Sequence, residues 1–505
     1  METPVPGVWT HIPSLVWRGA WRAWMLGFAM VALAACSQGS SPSQGRKLEL
    51  KPCRLEGLSL QAQCGTYEVF ENREAKSGRK LSLRVAVVPA LAAQPQPDPL
   101  VYLAGGPGQS ATRTAEMLLA VERIRRHRDI VLVDQRGTGD SSLLDCELRQ
   151  KEEGLSALFD EGDVPRRLHA CRERWEADVR QYTTPIAMAD LDEVRAALGY
   201  EKVNLWGVSY GTRAALVYMR QFPERVRTAI LDGVAPMGLY LPLYMPRDGQ
   251  RALELLLSHC EQDAVCEKTF PKLRARTEAL LAKLAEAPVR VRVPHPRTGV
   301  QEDVVLTQQA FLGALLMQLY SAEGGSLVPL MLDRVTREDW APFVALSLGG
   351  GDTLDRTMSR GLQFAVICAE DAPFFTKEDV EREAKGTWFG ALMGLEMMAA
   401  CEGWPRATLP SGYRDAVVSD VPTLLLSGEL DPVTPPAWGE EAKRTLKHGL
   451  HVVVPGVGHN ALVADCARSL MVEFVAKGNV EGLKPSCGGS LSRPPFFTSF
   501  AGPVP

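Results

Sequence analysis

Val203-Asn204-Leu205-Trp206-Gly207-Val208-Ser209-Tyr210-Gly211 is the stretch that decides how this chain is read. Residues 203–206 have the apolar content of a short buried strand. Gly207-Val208-Ser209-Tyr210-Gly211 fits G-x-S-x-G, the pattern of a sharp strand-to-helix turn that pushes a serine hydroxyl clear of the backbone. Glycines flank the serine because side chains there would collide with the neighbouring strand and helix. Residues 212–222 have helical composition and periodicity, and Pro223 stops them. A pentapeptide match alone is weak; the strand before it and the helix after it make Ser209 a candidate nucleophile.

Further strands and helices alternate on both sides of this turn. Leu100-Val101-Tyr102-Leu103 and Ile130-Val131-Leu132-Val133 read as buried strands, as do residues 227–231, 421–427 and 451–454. Residues 186–198 form an amphipathic helix with Leu191, Val194 and Leu198 on one face. The alternation predicts an α/β fold with a doubly wound, mostly parallel sheet. Residues 80–88 alternate apolar and polar, so they add a strand. Ser77-Gly78-Arg79-Lys80 matches S-x-x-K, whose chemistry needs the serine to open a helix. Here the lysine opens a strand, and Ser77-Gly78 reads as a hairpin turn.

After Pro236 the pattern becomes helical, as in 251–259, 273–285 and 308–319, with a small strand at 289–293. Residues 237–415 therefore read as a mainly helical cap inserted between two parts of the core, 51–236 and 416–490. The Met393, Met397 and Met398 cluster reads as core. Residues 491–505 are proline-rich and read as a loose tail.

Across 505 residues the apolar share of 46% and charged share of 23% are ordinary for a globular protein. A formal net charge of −4 with no basic stretch argues against nucleic acid as a partner. The N-terminus reads as a targeting segment: Arg18 and Arg22 precede an apolar run, 23–35, too short for a comfortable transmembrane helix. Losing residues 1–35 as a signal peptide, with Glu2, Arg18 and Arg22, takes the net charge to −5. Residues 36–50 follow as a tether, Ser/Gly/Pro/Gln-rich from Ser37 to Gln44.

Eleven cysteines is an odd number. Setting Cys36 aside leaves ten, an even set suited to an oxidising compartment. Proximity in sequence pairs Cys53 with Cys64, Cys146 with Cys171, Cys260 with Cys266, Cys368 with Cys401 and Cys466 with Cys487. No spacing fits a zinc site, and the chemistry considered below needs no metal or organic cofactor.

Three segments occur in a telling order: Gly105-Gly106-Pro107-Gly108, then Asp134-Gln135-Arg136-Gly137-Thr138-Gly139-Asp140-Ser141, then Gly207-Val208-Ser209-Tyr210-Gly211. Together they resemble the proline iminopeptidase and tripeptidyl aminopeptidase family of α/β-hydrolases, across residues 53–487. Ala104 stands where proline iminopeptidases usually carry His, which points to the tripeptidyl-type branch. The resemblance implies an α/β-hydrolase fold, a serine exopeptidase acting on peptide substrates, and cap carboxylates that anchor the free amine of the substrate. Cys368-Ala369-Glu370-Asp371 and Cys401-Glu402-Gly403-Trp404-Pro405 resemble cap segments of that branch. This implies Glu370, with Asp371 as second choice, for the ammonium group; the competing reading is a solvated acidic turn. Leu33-Ala34-Ala35-Cys36 resembles a lipobox, implying cleavage before Cys36, a lipid anchor on Cys36, and a lipoprotein facing the periplasm or cell surface. Ser37 leans towards the outer membrane, and ordinary secretory cleavage is the alternative.

A serine hydroxyl needs a base, and the base needs a carboxylate to fix its tautomer. In this fold the order is Ser, acid, His, and the chain offers Ser209, Asp431 and His459, each just past a strand end. His448 and His451 are rivals at the wrong end of a strand. Glu429 and Asp232 are rival acids; the family pattern G-x-x-D-x-x-x-P selects Asp431. The oxyanion hole is expected from the N–H groups of Tyr210 and Gly106, with Gly105 the alternative by one register. Arg136 reads as a structural ion pair rather than a substrate clamp. The competing functions are a carboxylesterase on the same triad and a non-catalytic surface lipoprotein that keeps the fold for binding.

Overall fold

A computed structural model describes residues 48–146, 148, 154–159, 164–485, 487 and 493–503. The expected signal segment, Cys36 and the expected tether up to residue 47 lie outside the described residues. In chain order the strands are β1 (Lys51–Arg54), β2 (Gln61–Phe70), β3 (Lys80–Val88), β4 (Leu100–Leu103), β5 (Ile130–Val133), β6 (Val203–Val208), β7 (Val226–Asp232), β8 (Val289–Pro294), β9 (Gln301–Leu306), β10 (Thr423–Gly428) and β11 (Gly449–Val454).

Nine of them form one sheet in the order β1-β2-β3-β5-β4-β6-β7-β10-β11. From β5 to β11 all pairings are parallel, while β1, β2 and β3 add an antiparallel edge. The parallel strands β4, β5, β6 and β10 are buried at every position, which is why β4 and β5 are unbroken apolar runs and β6 and β10 are mostly apolar rather than alternating. Alternate residues feed two cores. Val101, Leu103, Leu205 and Leu425 pack under the helices Thr184–Leu198 and Tyr210–Gln221. Tyr102, Trp206, Leu424 and Leu426 pack under the helix Asp465–Lys477 on the other face. The strand order reverses direction at β4, so the loops after β4 and β6 open side by side at the carboxyl edge, where doubly wound sheets bind ligands.

Between β7 and β10 lie the helices of the insertion, from Met245–Gln262 to Leu392–Cys401, and the β8–β9 hairpin. Its interior is separate from the sheet's two cores and includes Leu253, Phe311, Leu315, Trp340 and Phe343. Met393, Met397 and Met398 are partly buried, each against a different cluster. Residues 493–503 differ from the expected loose tail. Phe496 is buried in the insertion's core, and the Phe497 N–H donates to Ser326 O at 3.1 Å. The proline content of that segment concealed two phenylalanines with enough apolar area to dock.

All five cysteine pairs are disulfides: Cys53–Cys64, Cys146–Cys171, Cys260–Cys266, Cys368–Cys401 and Cys466–Cys487. Lys80 opens β3 and pairs with Glu68 at 3.8 Å, while Gly78 turns the chain at φ +83°, so the S-x-x-K match lies in a surface turn. Among the described residues no helix is long and apolar enough to cross a membrane.

Candidate active site

β6 delivers Ser209 to a backbone conformation of φ 57°, ψ −126°, which costs a non-glycine residue ~1–3 kcal/mol unless its surroundings hold it. They do. The Ser209 N–H donates to Asp232 O at 2.9 Å, and the Thr212 N–H and hydroxyl donate to Ser209 O at 2.8 and 2.6 Å. A Cβ on Gly207 would stand closer than 3.0 Å to Gly211 O, and one on Gly211 closer than 3.0 Å to Leu103 O. Both neighbours are backbone and cannot yield, so both glycines of the motif are required.

The candidate acid and base come from the loops after β10 and β11. Asp431 is 0% exposed, and its Oδ2 stands 2.8 Å from His459 Nδ1. Its remaining capacity is filled by the N–H groups of Val433 and Thr434 at 2.9 and 2.8 Å and by the Thr434 hydroxyl at 2.6 Å. Burial pushes the Asp431 carboxyl up, but the charge of His459 and the bonds from His459 and Thr434 outweigh it and hold the group below its ordinary value. Burial pulls His459 down, and the Asp431 charge and hydrogen bond overcome that, leaving its pKa raised. This pairing fixes the imidazole with Nδ1 towards the carboxylate and Nε2 free for proton transfer at the opposite side of the ring.

Asp232 joins the base loop to the serine. Its carbonyl takes the Ser209 N–H, and its carboxylate takes the N–H groups of Ala461 and Leu462 at 2.9 and 3.4 Å. A Cβ on the next residue, Gly233, would lie 3.2 Å from His459 Cε1, so the imidazole sits directly against the end of β7. Burial raises the Asp232 carboxyl to about 7. The other rivals are placed elsewhere. His451 Nε2 stands 2.9 Å from Ser427 Oγ and its Nδ1 2.6 Å from Glu440, and His448 O receives the Thr423 N–H where β10 begins. Glu429 accepts the Gly456 N–H at 2.9 Å. Arg136 is buried, donating to both Asp190 oxygens at 2.7 and 2.9 Å and to the carbonyls of Glu71 and Gln181 at 2.9 Å.

The glycine-rich loop lies on Ser209. A Cβ on Gly105 would stand 3.1 Å from both Ser209 Cβ and Val208 O, and Gly106 adopts φ +106°, open only to glycine. Tyr210 opens the helix that follows Ser209. Behind the loop, buried Asp134 accepts the Ser110 hydroxyl at 2.8 Å, the Thr112 N–H at 2.9 Å and the Thr112 hydroxyl at 2.8 Å, tying the loops after β4 and β5 together. Nothing in the sequence separated Asp134 from the rest of its motif.

Glu370 and Asp371, the expected amine anchors, are held by donors of the protein itself. Both are 0% exposed. Glu370 accepts the Thr184 N–H at 2.5 Å, the Thr184 hydroxyl at 2.8 Å and the Tyr413 hydroxyl. It therefore caps the helix Thr184–Leu198, whose own Thr183 side chain makes no capping bond. Asp371 accepts two bonds from Arg213 at 3.0 Å and one from Arg414 at 3.1 Å. A buried carboxylate must find donors, and these two find all of theirs within the protein. Among the described residues no group of three or more His, Cys, Asp or Glu could hold a metal ion.

A serine on a strained strand–helix turn, with a buried carboxylate–imidazole pair at the same sheet edge, can carry nucleophilic acyl transfer. Fold and site together define an α/β-hydrolase. A family profile described as alpha/beta hydrolase fold matches residues 98–465, and the chain belongs to that family. The serine protease Hip1 of Mycobacterium tuberculosis is 24% identical over 489 residues, covering 89% of this chain and 92% of its own. The tripeptidyl aminopeptidase of Streptomyces coelicolor is 28% identical over 232 residues, 43% of this chain and 41% of its own. A solved proline iminopeptidase from Mycobacterium smegmatis covers 82% of this chain and 98% of its own at 16% identity, with a TM-score of 0.41.

Proposed function

We propose that the protein is a serine aminopeptidase that releases short N-terminal fragments or single residues from peptides through an acyl-enzyme on Ser209. The observation that carries the hydrolase is the buried Asp431–His459 pair beside the turn that lifts Ser209. His459 Nε2 takes the Ser209 proton as the oxygen attacks the carbonyl, and Asp431 stabilises the imidazolium that forms. The N–H groups of Gly106 and Tyr210 receive the developing oxyanion. The amine departs with the proton from His459, and water then releases the acyl group by the same route. The names of the relatives support peptide substrates. Leu33-Ala34-Ala35-Cys36 and the disulfides support an exported lipoprotein, anchored through Cys36 and facing the periplasm or cell surface.

The second reading is a carboxylesterase. It is favoured by the burial of Glu370 and Asp371, which leaves the proposed amine specificity without its expected anchor. The test is hydrolysis of paired free and acetylated prolyl, alanyl and tripeptidyl p-nitroanilides, with a short-chain ester alongside and Ser209→Ala as control. Turnover of free-amine peptides alone, lost in Ser209→Ala, supports the aminopeptidase and gives its step length. Ester turnover without peptide cleavage overturns it. A parent enzyme that no fluorophosphonate labels would leave only the non-catalytic binder.

A further inference from the structure

The insertion touches the catalytic loops at two places far apart in sequence. The first is the glycine-rich loop. Ser359 N–H donates to Gly108 O at 2.8 Å, Ser110 N–H donates to Thr357 O at 3.0 Å, and Gln109 and Met358 pair as an antiparallel bridge between them. The Met358 thioether lies on the loop's glycines: a Cβ on Gly106 would stand 3.2 Å from Sδ, and one on Gly108 3.0 Å. The far side is fixed by Ser359, which is buried. Its hydroxyl donates to Leu144 O at 3.1 Å and receives the Leu362 N–H at 3.2 Å, starting the helix Arg360–Glu370.

The second place is the base loop. His459 N–H donates to Tyr320 O at 2.8 Å, at the end of an insertion helix. The Tyr320 ring meets the imidazole edge-on, with centroids 5.1 Å apart and planes at 72°. A Cβ on Gly458 would stand closer than 3.0 Å to Tyr320 O, so the two backbones are in direct contact.

Gly105, Gly106 and Gly108 give the oxyanion loop wide conformational freedom, and such a loop holds a catalytic geometry only when something outside pins it. We propose that the insertion is a working part of the active site rather than a cover over it: Met358 positions the oxyanion loop and Tyr320 positions His459. Both are positioning residues, and the assignment rests on the reading of Ser209 as the nucleophile. A substrate must then reach Ser209 without the insertion swinging away as a rigid lid, because that motion would remove support from the base and the oxyanion loop together.

The test uses the full chain in detergent solution. Its readouts are the rate of Ser209 labelling by a fluorophosphonate, and kcat and KM for whichever substrate the parent turns over. Displacing a catalytic group by about 1 Å costs about a hundredfold, so Met358→Ala is expected to lower kcat and labelling about 10- to 100-fold. KM should stay within about threefold, because the loss falls on the transition state. The loss should be uniform across the pH profile, because the base is untouched. Met358→Leu, which restores the volume, should recover most of the rate. Tyr320→Ala should lower both readouts and Tyr320→Phe should not, and this pair carries the test if Met358→Ala aggregates. A labelled parent whose Met358→Ala or Tyr320→Ala variant keeps its rate overturns the clamp alone. A parent that takes no label overturns the serine-hydrolase reading, and the clamp with it.

Discussion

Asp371→Ala separates the two roles open to the acidic pair. Asp371 takes both Arg213 bonds at 3.0 Å, and Asp371 and Arg213 side chains are each 0% exposed. Removing the carboxylate leaves the Arg213 guanidinium buried, with the Leu239 carbonyl as its remaining acceptor. Breaking a buried pair by removing one partner costs roughly 3–5 kcal/mol, because the surviving charge is uncompensated. Arg414, the second donor, has a side chain 10% exposed and can turn part of its charge towards water, which favours the lower half of that range. At ~2.1 cal/mol/K per residue, residues 45–505 unfold with an entropy of ~1 kcal/mol/K, so Tm should fall by ~3–4 °C. Calorimetry measures that shift, and kcat/KM for free and acetylated peptides measures amine recognition on the same sample. The preference for a free amine should survive in whatever fraction remains folded. A Tm within ~1 °C of the parent, with the free-amine preference abolished, would refute the burial argument and return Asp371 to the substrate.

Four further outcomes follow from the site and its supports. As the proposed base, His459 works only when neutral, and its pKa is raised, so kcat/KM should fall on acidification with a midpoint above the ordinary histidine value of 6.5. Asp431→Asn removes the charge that raises it: the midpoint should move to lower pH, while the plateau kcat drops about ten-thousandfold through loss of the correct tautomer. Gly211→Ala should yield no soluble active protein, since its methyl group meets the Leu103 carbonyl; recovery of parent-like labelling would refute the packing argument. Replacing Cys368 and Cys401 by Ser opens a loop spanning 33 residues and should cost ~3–4 kcal/mol of unfolding free energy, read from denaturant midpoints.

What was legible in the sequence was local. The turn around Ser209 could be read because its glycines answer to atoms within one strand–helix unit and a neighbouring strand. The parallel strands were legible because burial on both faces leaves unbroken apolar runs such as Leu100–Leu103. The five disulfides match sequence proximity because each closes a short loop, the longest separation being 33 residues. The antiparallel β1–β2 edge was not read, since Lys51–Arg54 carries no periodic signal. Glu370 and Asp371 read as an amine anchor, or else a solvated acidic turn, because their donors are distant. Thr184 lies 186 positions from Glu370, and Arg213 lies 158 from Asp371. Adjacent carboxylates read alike in sequence whether water or guanidinium surrounds them.

Those distant donors give the insertion its third hold on the catalytic core. Asp371 grips Arg213 on the helix that begins directly after Ser209, and Glu370 caps the helix Thr184–Leu198 packed beside it. Tyr210 shares this network, its hydroxyl 2.6 Å from that of Thr184. An apolar interface could hold two layers together at least as well, since buried ion pairs return little net stability. What a fixed set of donors adds is register: each carboxylate accepts its bonds in one placement of the helix Arg360–Glu370. Ser359 begins that same helix against the oxyanion loop. A shift that broke the Asp371–Arg213 pair would therefore reach Gly108 and Met358 through a single rigid element. The acids expected at the substrate are better understood as the pins that hold the oxyanion loop's support in place.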